Sequence, residues 1–94
     1  MQIATSCFET LKAISYLKKF CRHFAHKLPT KFDHTGGYVD FPFGDCWLRI
    51  KGNVITIRLE AETSDSLAKM EGVVGSHMER FAFRDEVKLS WVRQ

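Results

Sequence analysis

The densest chemistry in the sequence lies in Cys21-Arg22-His23-Phe24-Ala25-His26-Lys27, where a thiol and two imidazoles sit almost side by side. Thiolates and neutral imidazoles ligate zinc and iron, so this block raises a metal site. Helix geometry divides it. At ~100° per residue, Cys21 projects with Leu17 and Phe24 toward a core, whereas His23 and His26 are expected on the far side with Lys19 and Arg22. All three cannot reach one ion on a regular helix. His23 and His26 are three apart and therefore neighbours, but they make only a weak metal candidate, needing Asp33, His34 or another chain to supply further ligands. Among Lys19, Arg22 and Lys27 the pair suits an anionic small molecule or an acidic protein face better than a cation. At a helix C-terminal end such charges also complement the dipole.

His77 stands in the middle of a second apolar stripe, where burial favours the neutral imidazole. It is either a satisfied core histidine or a ligand or acid/base group at a helix-sheet seam. Cys21 and Cys46 both point toward the core and are expected to behave as small hydrophobes, with no activating base beside either. A third set, Tyr38, Trp47, Arg49 and Arg58 with Lys88, forms an aromatic and cationic mixture on the outer face of a sheet. Sheets of this kind stack nucleic-acid bases. Here Asp40 and Glu60 dilute the charge and no RNP-type motif occurs, so contact with a second copy, or cross-strand pairing alone, is the preferred reading. No nucleophile elbow, phosphate loop, zinc-protease or dinucleotide fingerprint is present, and the carboxylates are scattered. No motif implies a cofactor or a hydrolase.

The elements that must position these groups follow from periodicity. Leu11, Ile14, Leu17, Cys21, Phe24 and Leu28 repeat as one helical stripe, closed by Pro29. Its start is either Ser6, which with Glu9 makes a capping box, or Thr10, which leaves room for a strand over 3–9. After a Gly36-Gly37 turn, Val39, Phe41 and Phe43 alternate as a strand. Cys46, Leu48 and Ile50 then alternate, and Gly52-Asn53 turns the chain into Ile55, Ile57, Leu59 and Ala61. A helix capped near Ser64-Asp65 presents Leu67, Met70, Val73, Val74, His77 and Phe81. Val87, Leu89 and Trp91 make a closing strand. Two amphipathic helices and a mainly antiparallel sheet bury one another by stacking, which predicts an α+β two-layer sandwich with the helices on one face. Strand order stays open, because alternation sets faces and not neighbours.

The chain has 94 residues, 45% hydrophobic and 13% aromatic, which fits one domain over 1–94 and excludes a disordered tail. Its formal charge of +3 does not by itself require nucleic acid or a membrane. The basic residues concentrate between Thr10 and Phe32, where no acid occurs. Three cysteines without a Cys-x-x-Cys pair, no signal-peptide layout and no long apolar run lead to the expectation of reduced thiols, no membrane span and a cytoplasmic location.

Several blocks recur in order: Tyr16-Leu17, Cys21-Arg22-His23-Phe24-Ala25-His26-Lys27, Phe41-Pro42-Phe43-Gly44-Asp45-Cys46, Val73-Val74-Gly75-Ser76-His77-Met78-Glu79-Arg80-Phe81-Ala82, and Trp91. Together they resemble the small bacterial family catalogued as domain of unknown function 2218. The resemblance spans nearly the whole chain and favours Thr10 as the helix start. It implies no established activity, but it places such genes near siderophore-interacting flavoproteins and iron uptake. That implies a non-catalytic accessory or binding protein for iron or siderophore handling, with Cys21, His23, His26, Lys27, Cys46, His77 and Arg80 as the positions to test. The first strand departs from the family pattern by being rich in Ser, Thr and Cys.

Overall fold

The computed structural model describes residues 1–94. The elements are β1 (Gln2–Glu9), α1 (Ala13–Ala25), β2 (Thr30–Asp33), β3 (Gly36–Phe41), β4 (Gly44–Lys51), β5 (Val54–Ala61), α2 (Ser64–Phe81), a 3-10 turn (Phe83–Asp85) and β6 (Val92–Arg93). The strands form one six-stranded sheet in the order β2-β3-β4-β5-β1-β6, with every pair antiparallel. Helix α1 packs on β2 and β3, and α2 on β5 and β1. Between helices and sheet lies one core of 20 residues, including Leu17, Phe20, Val39, Ile57, Leu59, Met70 and Val74. The architecture is the expected α+β two-layer stack, and the other face of the sheet carries no helix.

The register shows why the faces separate. Val39, Cys46, Leu59 and Ala4 are cross-strand partners pointing inward, whereas Tyr38, Trp47, Arg58 and Thr5 are the adjacent outward row. Gly52 takes a positive φ of 61° in the β4–β5 turn, a conformation that costs glycine nothing. Gly37 has a different task. A Cβ there would stand 2.7 Å from the Cys21 Sγ, so its absence lets α1 settle onto β3. Thr63 caps α2 by accepting the Ser66 N–H at 3.1 Å, one residue before the expected Ser64-Asp65 start.

Several expectations need correction. Helix α1 starts at Ala13 after Lys12, and Thr10 accepts the Lys12 N–H at 3.0 Å in a turn that precedes it. The buried stripe is accordingly Ala13, Tyr16, Leu17, Phe20, Cys21 and Phe24. Leu11 lies before the helix and is exposed, as is Ile14, because the stripe is rotated toward Tyr16 and Phe20. Gly36-Gly37 is not a turn. It opens β3, paired with an unexpected β2 through Asp33↔Gly36 and Phe32↔Gly37. The Asp33 carboxylate makes the reversal itself by accepting from the Thr35 and Gly36 amides, an Asx-type turn. Phe43 falls in the β3–β4 turn. The closing strand shrinks to Val92–Arg93, because Val87, Leu89 and Trp91 pack on the core while only two residues pair with β1.

Candidate functional site

His23 follows Tyr16 by seven residues, which returns it to nearly the same line along α1. That line is the flank beside α2, where His23 stays exposed while its ring meets the second helix. The His23 ring lies 5.0 Å from the His77 ring and 5.6 Å from Phe81, with Phe24 at 4.9 Å from both imidazoles. His23 is exposed like Lys19 and Arg22, as expected, but its ring also meets α2, a contact that a lone helix does not show. His26, Lys19, Arg22 and Lys27 are exposed as expected.

His77 is half-buried at this seam. Its Nδ1 lies 2.7 Å from the Val73 carbonyl oxygen. A carbonyl only accepts, so the proton belongs on Nδ1 and the Nε2 lone pair is left available. His23 is held below the ordinary imidazole range by desolvation first, then by His77, Arg80, His26 and Lys27. Every charge acting on it is basic. The seam thus gathers His23, His26, Lys27, His77 and Arg80, whereas the two ion pairs of the chain lie elsewhere, at Arg58–Glu60 and Arg93–Glu71.

No three His, Cys, Asp or Glu side chains converge as a metal cage. His23 and His26 therefore gain no third ligand from Asp33 or His34, and Asp33 is committed to its turn. Cys21 and Cys46 are buried free thiols. Burial pushes Cys21 up to about 11, and burial with the neighbouring Cys21 pushes Cys46 higher still. Neither is an activated nucleophile.

On the open sheet face, Lys31, Tyr38, Trp47, Arg58 and Thr5 form one cross-strand row. Gly36, Arg49, Thr56 and Cys7 form the next, and Lys88 reaches the same side beside Cys7 and Thr56. Tyr38 and Trp47 rings lie 5.4 Å apart. The Tyr38 hydroxyl donates to Asp45 at 2.6 Å, and this bond, ahead of desolvation, pushes the phenol up to about 12. A shallow trough runs over Gly36, Trp47, Arg49, Thr56 and Arg58.

Sequence reasoning missed a third cluster. Thr10 and Tyr16 hydroxyls donate to Asp85 Oδ2 at 2.5 Å and 3.0 Å. These bonds hold the Asp85 carboxyl below the usual carboxylate range and tie the 3-10 turn to the start of α1. Asp85 lies 75 positions from Thr10, and no local pattern links them.

The family model described as uncharacterised proteins conserved in bacteria, domain of unknown function 2218, matches residues 5–92. The chain belongs to this family. A solved structure, the NMR structure of PA4090 from Pseudomonas aeruginosa, is similar to this family member at a TM-score of 0.81 and 29% identity, over 98% of this chain and 96% of that one. No curated protein matches this member of the family. No helix in it is long and apolar enough to cross a membrane.

Proposed function

We propose that the protein is a small non-catalytic binding protein that holds an anionic small molecule at the α1–α2 seam. One observation carries the reading: the charged and ionisable groups acting on His23 are all basic. Like charges held together without a counter-ion raise the free energy of the empty site, and an anion removes that cost. The two helix C-termini nearby contribute only about half a negative charge each, which Lys27 and Arg80 together exceed. Phe24 and Phe81 add apolar walls. Arg80 and Lys27 supply the donors that fix orientation.

Within this reading the preferred ligand is a ferric siderophore or similar anionic iron chelate, in keeping with the gene neighbourhood near iron uptake that the family resemblance implies. It is held by its charge and not by direct ligation of iron, since the seam offers two facing imidazoles and no carboxylate or thiolate. The alternative, nucleic acid on the open sheet, is less favoured because Asp40, Asp45 and Glu60 line one row of that face and repel a polyanion.

The test is calorimetric titration of the untagged protein with phosphate, citrate, a catecholate chelator and its ferric complex, at two salt concentrations. Saturable binding is expected to weaken with salt, to strengthen below pH 6.5 as His23 protonates, and to fall ~tenfold in Arg80→Ala or Lys27→Ala. Preference for the ferric complex over the free chelator supports iron handling. Binding indifferent to salt and to both substitutions would sink the proposal.

A further inference from the structure

We infer that the open sheet face docks a second copy of this chain, with the strands of the two sheets running antiparallel across a two-fold axis perpendicular to β4. The inference does not depend on the proposed anion site, which lies on the opposite layer.

The argument starts from the outward residues of β4, which are Asp45, Trp47, Arg49 and Lys51 in order along the strand. Charge therefore runs from negative to positive along one strand with an aromatic ring between. Neighbouring strands sharpen the negative end, because Asp40 pairs with Asp45 and Asp45 with Glu60. Like charges on adjacent strands disfavour the sheet that carries them. Only the Tyr38 hydroxyl and the Arg58 guanidinium offset this row.

Two sheets packed face to face lie with their strands roughly aligned, and a two-fold axis for such a pair must lie in the plane between them. If that axis ran along the strands, the acidic row would face its own copy. Perpendicular to the strands, placed between Trp47 and Arg49, it sends Asp45 over the partner's Lys51. The same rotation lays Trp47 over the partner's Arg49, a cation–π arrangement. It also brings Tyr38, the cross-strand neighbour of Trp47, over the trough floor at Gly36, which pairs with Arg49 and has no side chain. Trp47 is 38% exposed, and Val92 at 65% adds apolar area on the same face. A second copy thus supplies the missing cation, a stacking partner and an occupant for the trough in one operation.

Six strands at ~4.8 Å spacing and central strands of eight residues at ~3.4 Å bound a flat face of roughly 600–700 Å². Stable interfaces bury ~800 Å² on each side, so a concentration-dependent dimer is expected rather than an obligate one.

Sedimentation velocity on the full chain over a concentration series reads the equilibrium directly. Asp45→Lys and Lys51→Asp are each expected to weaken the dimer ~tenfold or more by opposing like charges. Both changes in one chain restore complementarity and are expected to restore the dimer. Asp45→Asn, which keeps an acceptor for Tyr38, weakens it less and serves if Asp45→Lys does not fold, and Trp47→Ala abolishes it. A protein that stays monomeric throughout, or a dimer insensitive to Trp47→Ala and to the charge exchanges, overturns the inference. So does failure of the double exchange to rescue a folded chain, or an oligonucleotide that binds this face to a monomer.

Discussion

Cys21 and Cys46 show how a reactive residue type loses its chemistry to its surroundings. Each is completely buried, and desolvation disfavours the thiolate in both. Cys7 points to the open face instead and is exposed. In native protein a mild alkylating reagent is expected to label Cys7 alone, and in denaturant all three thiols, with mass spectrometry of tryptic peptides as the readout. Rapid native labelling of Cys21 or Cys46 would revive an enzymatic reading. The inward direction of these two cysteines was legible, because their spacing from Leu17, Phe24 and Leu48 follows helix and strand periods. The place of His23 was not. Its quarter-turn offset from the stripe has meaning only once α2 lies alongside, and that is a tertiary fact.

At the scale of elements, the approach of α1 to β3 depends on Gly37 having no side chain. Gly37→Ala places a methyl against the Cys21 sulfur, with Phe32 Cβ at 3.1 Å and the Lys31 carbonyl at 3.3 Å closing off escape. Overpacking of this kind costs ~1–3 kcal/mol. Adding Cys21→Ala removes the sulfur, so the double variant is expected to lose less than the sum of the single losses in urea denaturation. Strict additivity would show that the two residues do not meet as described. The helices, the β4–β5 hairpin and the inward faces were legible because each is long and strongly patterned. Strand β2 was not, since Thr30–Asp33 is four residues long and its pairing uses glycines that locally signal a turn. Trp91 was misassigned to a strand for a related reason. Its alternation with Val87 and Leu89 is real in burial, but the ring packs on Gly75 of α2, with Nε1 3.4 Å from where a Cβ would be.

For the whole molecule, the basic seam links stability to pH. Well above pH 6.5 the His23 imidazole is neutral in both folded and unfolded chains, so it contributes no pH dependence there. Its folded value lies below 6.5, so as pH falls through that window the unfolded chain takes up the proton first and stability is lost. Desolvation first, then His77, Arg80, His26 and Lys27, set the direction of this loss. Urea midpoints are expected to fall more steeply on acidification in the parent chain than in His23→Gln, and a bound anion is expected to narrow the gap. Equal slopes would show that His23 titrates as in the unfolded chain. The sheet order has a consequence of another kind, in the order of synthesis. Strand β1 is made first, yet its long-range partner is β5, with Gln2 opposite Ala61 and Glu9 opposite Val54. At ~5–20 residues per second, the nascent first strand waits several seconds at the ribosome with its hydrogen-bonding edges unmatched. A Val- and Ile-rich strand left so would recruit neighbouring chains. The sequence Gln2-Ile3-Ala4-Thr5-Ser6-Cys7-Phe8-Glu9, whose polarity leaves the buried Ser6 hydroxyl without a partner, is suited to that wait.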